Sequence, residues 1–281
     1  MIRLTLLVGL WLAGASATQA QPFGKLVKKM PGMVSYTLRE SFSKDVPGTL
    51  DKVKAWGITD IEFSGLFGKT APELRALLDQ RGLTCSSYGV SYDAIANKPD
   101  SILQNAKALG VKYIRIGSIP HKSAATLEMM QQAAEVFNRF GKQAHEQGVM
   151  FCYHNHGFEF QPYENGTLFD YLVKQTNPEY VGYEMDVTWT YLPGQDPAAL
   201  LMKYPKRFRL IHLKDVQKGV ARNDKGSMAN EECVVLGTGQ IDWPSVLKAV
   251  NKSSIEHLYI EDESKAAEQQ VPKSLAYLKS L

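Results

Sequence analysis

Four stretches of this sequence crowd together side chains able to hold a cation or move a proton. They are Tyr153-His154-Asn155-His156-Gly157-Phe158-Glu159-Phe160, Tyr183-Glu184-Met185-Asp186, His212-Leu213-Lys214-Asp215 and Glu261-Asp262-Glu263. Each closes a short apolar run of the kind that forms a β-strand. Because successive strand residues point to opposite faces, His154 and His156 share a face, as do Glu184 and Asp186, His212 and Lys214, and Glu261 and Glu263. Ile211 and Leu213 then point the other way, toward a hydrophobic layer. If the four strands are neighbours, His154, His156, Glu184, Asp186, His212, Lys214 and Glu261 converge on one interior. Burying so many charges without compensation is prohibitively costly. Either a divalent cation or an ion-pair network such as Glu184 with Lys214 must balance them, and four consecutive strands each ending in a ligand-type residue favour the cation. Oxygen-rich ligation with a single histidine suits Mn²⁺ first, then Mg²⁺ or Co²⁺, with Zn²⁺ the remaining option.

The rest of the chain supplies the elements that would bring these ends together. Eight strand candidates alternate with helical stretches: Met33–Thr37, Asp60–Phe63, Thr84–Val90, Tyr113–Ile116, Met150–His154, Val181–Asp186, Phe208–Lys214 and His257–Glu261. Helix starts are marked by Thr70-Ala71-Pro72-Glu73, a capping-box pair around a proline, and by Asp196-Pro197 and Asp242-Trp243-Pro244. Gly57, Gly82, Gly110 and Gly148 each sit between a helical stretch and a strand, where a left-handed cap is needed. Eight such units point to one α/β domain, a single (β/α)8 TIM barrel, with an open doubly wound sheet as the alternative. Functional residues in such a barrel lie at the C-terminal ends of the strands, where these four clusters fall. The connection from Asp215 to Ile241 is long enough to act as a lid or binding loop.

Residues 1–20 read as a cleaved export signal rather than as part of the fold. Arg3 gives a positive start, Leu4 to Leu12 an apolar run too short for a membrane anchor, and Thr18-Gln19-Ala20 a small-residue cleavage site. Cleavage leaves residues 21–281, close to the size of one barrel. Arg3 departs with the signal, taking the formal charge from +3 to +2. No basic cluster interleaved with aromatics marks a nucleic-acid or anionic-membrane surface. Cys85, Cys152 and Cys233 allow at most one disulfide, and the first two read as buried apolar fillers. Oligomerisation is left open.

The runs His154-Asn155-His156-Gly157-Phe158-Glu159-Phe160, Asp186-Val187-Thr188-Trp189, His212-Leu213-Lys214-Asp215 and Gly237-Thr238-Gly239-Gln240-Ile241-Asp242 resemble the xylose isomerase-like barrel superfamily. Within it they are similar to the sugar isomerase/epimerase group, also called AP endonuclease family 2. The resemblance covers essentially all of residues 21–281. It implies one divalent metal held by Glu, Asp, His and Glu from strands five to eight, which fall by position on Glu159, Asp186, His212 and Glu261. Spacing alone selects His154 or His156 on the fifth strand, since Glu159 lies beyond its end. Following the resemblance puts Glu159 on the metal and the two histidines beside the substrate. Two departures bear on the substrate: Trp189 stands where keto-sugar 3-epimerases carry a histidine, and Ser86-Ser87-Tyr88-Gly89 where many relatives have one after the third strand. The further ligands of a trinuclear zinc site are not evident.

The expected chemistry is proton abstraction α to a carbonyl, with the metal stabilising the enediolate. Glu159 and Glu261 form the expected acid/base pair, and Lys214 steadies the oxyanion. His154, His156, Trp189 and Glu184 contact the substrate, with Phe158 a further stacking candidate. Export, and the absence of a phosphate-gripping loop after strand seven or eight, favour a non-phosphorylated sugar or keto-sugar. Isomerase or epimerase stands first, a 3-keto-glycoside lyase or keto-glycal hydratase second, and a non-catalytic carbohydrate-binding barrel third. The signal reading predicts a mature protein that begins near Gln21 and lies in the periplasm or outside the cell. N-terminal sequencing of native material checks this, and a chain starting at Met1 or Ile2 refutes it.

Overall fold

The computed structural model describes residues 22–121, 124–223 and 227–281; the export signal lies outside them. Eight parallel strands close into a barrel: β1 (Gly32–Val34), β2 (Asp60–Phe63), β3 (Thr84–Val90), β4 (Tyr113–Ile116), β5 (Met150–His154), β6 (Val181–Asp186), β7 (Phe208–Leu213) and β8 (His257–Ile260). Each strand pairs with its sequence neighbours, and β1 pairs with both β2 and β8 to complete the ring. The eight outer helices are α1 (Val46–Ala55), α2 (Ala71–Asp79), α3 (Pro99–Leu109), α4 (Leu127–His145), α5 (Leu168–Gln175), α6 (Pro197–Lys203), α7 (Trp243–Val250) and α8 (Ala267–Ser280). The fold is the expected (β/α)8 barrel. Among the described residues no helix is long and apolar enough to cross a membrane.

Local sequence accounts for the boundaries. Thr70 and Glu73 form the capping box at the start of α2, and Asp196 and Asp242 accept backbone N–H bonds at the starts of α6 and α7. The four glycines between helices and strands all have positive φ, between 65° and 81°. Three strand ends are shorter than expected. β1 stops at Val34 because Ser35–Leu38 winds into a 3-10 turn, while Lys214 and Glu261 lie one residue beyond β7 and β8. All three cysteines are buried and unpaired.

The outward faces of the strands pack Phe63, Phe151, Tyr153, Tyr183 and Phe208 against the helices. Inside the barrel a small apolar plug of Val34, Tyr113, Cys152, Leu210 and Tyr259 closes the space below the C-terminal end. A break in pairing register between β6 and β7 then matters for chemistry. Tyr183 lies opposite Phe208 but Glu184 opposite Leu210, so Arg209 is skipped and Asp186 comes to lie beside His212.

The long connection after β7 is not slack. Asp215–Val216 pairs with Cys233–Val234 as a two-stranded ribbon. The buried Asp215 carboxylate accepts the backbone N–H groups of Val216, Gly237, Gly239, Gln240 and Ile241, plus the indole N–H of Trp243, at 2.9–3.3 Å. Gly237-Thr238-Gly239 is thus a cradle around a carboxylate. A Cβ on Gly239 would meet Asp215 Oδ1 at 2.2 Å and the Val216 carbonyl oxygen at 2.3 Å. This predicts that Asp215→Ala, which strands several buried donors at once, costs at least about 3 kcal/mol. Urea unfolding measures it; a cost below about 1 kcal/mol would show that the cradle closes without the carboxylate.

Candidate metal centre

The end of β6 is built so that one oxygen of Asp186 is free for chemistry. Asp186 caps the short helix Val187–Tyr191, its Oδ1 accepting the Trp189 N–H at 2.9 Å. Its own N–H donates to Asn155 Oδ1 at 3.2 Å, and the Asn155 amide donates to Thr190 Oγ1 at 3.1 Å. Asn155 therefore ties the end of β5 to that of β6. Asp186 Oδ2 is left buried with no hydrogen-bond partner, although Lys214 Nζ stands 3.1 Å away and His154 Nε2 3.6 Å away.

Around that oxygen four side chains converge. His154, Asp186, His212 and Glu261 each offer a ligand atom, all within 4.8 Å of one another, and all four are buried. His212 Nδ1 lies 3.0 Å from Glu261 Oε2. Lys214 Nζ bridges Glu261 Oε2 at 2.9 Å and Glu263 Oε1 at 2.6 Å and lies 4.3 Å from the centre of the Trp189 ring. His156 stacks on Trp189 with ring centres 6.0 Å apart, and its Nδ1 is buried without a partner. Tyr36, Ser64, Gly117 and Ser118 complete a cleft of about 360 Å³ over the group.

The structure brings together Asp186, His212, Glu261, Lys214, His154, His156 and Trp189. It does not bring Glu159. After β5 the chain enters a 3-10 turn, Phe158–Phe160, which folds Glu159 back to the outer side of the sheet. There its carboxyl accepts the Tyr153 hydroxyl and the His156 N–H, the latter at 3.0 and 3.1 Å. Tyr153 alternates with the inward His154, so a group bonded to its hydroxyl lies on the helix side of the sheet. Alternation had pointed to the histidines, and His154 occupies the fifth-strand place that the resemblance gave to Glu159. Glu184 also differs from expectation. It lies below the cleft, 3.1 Å from Arg115 Nε and 3.3 Å from His212 Nε2, as part of an ion-pair floor rather than as a substrate contact.

Two floor residues were missed at the sequence level, Glu62 on β2 and Arg115 on β4. Arg115 Nε and Nη2 donate to Glu62 Oε1 at 3.0 and 2.6 Å, and the same oxygen lies 2.8 Å from His212 Nε2. Their signal was present: each is a lone charge between two apolar strand residues, Ile61 and Phe63 or Ile114 and Ile116.

The electrostatics fit a cation. Four buried carboxylates (Glu62, Glu184, Asp186 and Glu261) face two permanent cations (Arg115 and Lys214), which leaves two formal negative charges when the histidines are neutral. Burial and the neighbouring Glu62 charge push Glu184 up to about 7. Burial also raises Asp186 above the ordinary carboxylate range. Burial alone works against the Lys214 ammonium, yet Asp186, Glu261 and Glu263 hold it firmly charged. Of the eight buried side-chain polar atoms without partners among the described residues, all but Arg207 Nε belong to the barrel interior: Glu62 Oε2, Ser87 Oγ, both Glu184 oxygens, Asp186 Oδ2 and the Nδ1 atoms of His154 and His156. Orphaned buried groups at that density mark a place designed to meet something else. The donor set, two imidazoles and two carboxylates, is that of a divalent transition metal.

Fold and site together define a (β/α)8 barrel with a metal-competent cluster at the C-terminal ends of β5 to β8. Residues 50–281 match the model of the xylose isomerase-like TIM barrel family, and the chain belongs to that family. It is 24% identical over 236 residues to an inosose dehydratase of Lacticaseibacillus casei, covering 74% of this chain and 78% of that one. A crystal structure of a sugar phosphate isomerase/epimerase from Parabacteroides distasonis superposes with a TM-score of 0.75 at 24% identity, over 94% of this chain and 96% of the other. The IolI protein, in a crystal structure with a bound zinc atom, superposes with a TM-score of 0.71 at 15% identity, over 89% and 96% of the two chains.

Glu159 supplies a test of its placement. Burial pushes its pKa from 4.5 up to about 7. The folded chain therefore holds this proton more tightly than the unfolded one, so the stability it lends is full below pH 4.5 and is lost as pH rises through 7. Glu159→Gln, which cannot ionise, should lose less melting temperature than wild type between pH 5 and pH 8. Equal losses in the two proteins would place Glu159 in contact with solvent or a cation.

Proposed function

We propose that this protein is a divalent-metal-dependent enzyme that removes the proton α to the carbonyl of a non-phosphorylated sugar or keto-sugar, with loss of a β-hydroxyl as water. The observation that carries this reading is the group His154, Asp186, His212 and Glu261, with Lys214 and His156 beside it, beneath a cleft lined by His154, His156, His212 and Glu261. A divalent cation on those four residues supplies Lewis acidity toward the carbonyl oxygen. Two imidazoles among the ligands move Zn²⁺ level with Mn²⁺ and Co²⁺ and disfavour Mg²⁺.

The unlike groups on either side of the cleft favour elimination. Epimerisation asks for two groups that exchange the roles of acid and base on opposite faces of the substrate, and the expected Glu159–Glu261 pair is broken by the position of Glu159. What stands beside the cluster is an imidazole with a buried, unpaired Nδ1 on His156 and the buried ammonium of Lys214. His156 Nδ1 takes the α-proton as the carbon–carbon double bond forms. The β carbon–oxygen bond breaks, and the departing hydroxyl leaves as water with a proton from Lys214. Trp189 gives the ring an apolar wall. Arg115, which lines the cleft, is already engaged by Glu62 and Glu184 and so is not free to grip a phosphate. Inosose, the compound that names the L. casei relative, is a cyclic ketone of the required kind. Isomerisation or epimerisation is the second reading, in which the proton returns and the hydroxyl stays; Glu261, just past β8 where His156 lies just past β5, favours it.

The test combines metal analysis with reaction in D₂O across inosose, free sugars and 3-keto-glycosides. Dehydration gives an unsaturated ketone; the second reading gives the starting sugar or its isomer carrying deuterium. Asp186→Ala and His212→Ala should lose the metal and stay folded, and His156→Gln should lower turnover by about 10²–10⁴-fold. Purified wild type that contains no metal and is indifferent to chelators would refute the proposal.

A further inference from the structure

His212 shows its two nitrogens to two different sets of carboxylates. Nδ1 faces up, 3.0 Å from Glu261 Oε2. Nε2 faces down, 2.8 Å from Glu62 Oε1 and 3.3 Å from Glu184 Oε1. Two cation positions therefore share this ring. The upper one lies among His154, Asp186, His212 and Glu261, the lower among Glu62, Glu184 and His212. Side chains alone do not choose between them, since both sets are buried and acidic.

Arg115 makes the choice. Its guanidinium donates to Glu62 at 2.6 and 3.0 Å and stands 3.1 Å from Glu184, so the lower position already holds a cation that cannot lose its charge. A second cation there would meet the guanidinium at close range among buried groups. The upper position has Lys214 beside it, but that ammonium has a further partner in Glu263, 2.6 Å away and nearer the mouth. Lys214 can lean on Glu263; Arg115 has no carboxylate but Glu62 and Glu184 within ion-pair distance among the described residues.

We infer that Glu62, clamped by Arg115, is the positioning residue of the metal centre: it holds the His212 ring by its Nε2–H so that the Nδ1 lone pair faces the upper site. A histidine can offer a lone pair at one nitrogen only if the proton resides on the other, and a carboxylate acceptor at that other nitrogen fixes both the proton and the ring plane. Glu62 Oε1 lies nearer this nitrogen than Glu184 does, 2.8 against 3.3 Å, and is the one that Arg115 clamps with two hydrogen bonds, so Glu62 carries this role. The inference rests on the metal reading proposed above.

Co²⁺ titration tests it, because the visible absorption of bound Co²⁺ reports ligand geometry and a merely structural role for Glu62 would not move it. Wild type, Glu62→Gln and Glu62→Asp are compared for Co²⁺ affinity and spectrum, with metal-free melting curves alongside. Glu62→Gln removes the charge that Arg115 clamps; Glu62→Asp keeps the charge and withdraws it from Nε2, which preserves a folded variant should Gln destabilise the floor. Either folded variant should bind Co²⁺ about 10–100-fold more weakly, with a displaced absorption band. Affinity within twofold of wild type and an unshifted band would overturn the inference and leave the metal reading standing. Wild type that takes up no Co²⁺ would overturn both.

Discussion

The interior of this barrel depends on one electrostatic condition: carboxylates that cannot reach water must be held by cations that cannot leave. Glu62, Glu184, Asp186 and Glu261 are all buried, and an unpaired buried carboxylate is expensive enough that it would normally take up a proton. Arg115 and Lys214 divide the task. Arg115 sits low and satisfies the pair from β2 and β6, while Lys214 sits high and bridges β6, β7 and the residues just past β8. Burial and these partners move the four acids in different directions. Glu62 and Glu261 are held well below the usual carboxylate range, and Glu184 and Asp186 are raised. Each layer thus sets two carboxylates against one permanent cation, Arg115 below and Lys214 above.

That division needs accurate placement, and the backbone provides it by irregularity rather than by regularity. The skipped residue between β6 and β7 sets Asp186 against His212. A second irregularity, between β2 and β3, brings Glu62 level with Ser87 instead of continuing the pairing of Asp60 with Thr84. Past the strand ends, side chains take over as braces. Asn155 joins β5 to the turn after β6, Thr188 Oγ1 donates to the Lys214 carbonyl oxygen at 2.6 Å, and Asp215 gathers the return of the long loop directly after Lys214. His154, His156, Asp186 and Lys214 are thus each one bond or one residue from a braced point, the kind of support that a precise site needs.

Strand positions, helix caps and most of the cluster were legible in the sequence because they rest on local rules. Alternation put His154, Asp186 and His212 on one face without any knowledge of the fold. It also contained Glu62 and Arg115, but each is a lone charge between two apolar residues of a four-residue strand, and nothing local says that β2 and β4 reach across to β7. Glu159 shows the opposite failure. Its place in a run resembling a family motif suggested a ligand, whereas a 3-10 turn of three residues decides which side of the sheet it occupies, and such turns leave little trace in residue type. Where the period-2 rule and the motif disagreed, the period-2 rule described which side chains the barrel brings together. The Gly237-Thr238-Gly239 turn was visible as a turn, but its carboxylate guest lies 22 to 24 residues earlier in the chain and could not be read locally.

The two ends of the barrel decide which of its polar networks is structural. At the N-terminal mouth Asp60 accepts from Thr84 and Ser86 and pairs with His257 at 2.9 Å, and Ser86 meets the Tyr259 hydroxyl at 2.6 Å. That network closes on itself, with none of these groups left wanting. At the C-terminal end the groups are of the same kinds and more deeply buried, yet several oxygen and nitrogen atoms have no hydrogen-bond partner and some of them only an ion pair. Both ends were assembled by the same strands under the same packing constraints, so poor packing does not explain the difference. Leaving buried atoms unsatisfied lowers stability by about 1–3 kcal/mol each, and a chain that satisfies every group at one mouth has the means to do so at the other. The difference between the two ends supports the proposal that the C-terminal one takes up a cation and a substrate. The apolar plug of Val34, Tyr113, Cys152, Leu210 and Tyr259 between the two networks keeps the closed one from supplying the missing partners.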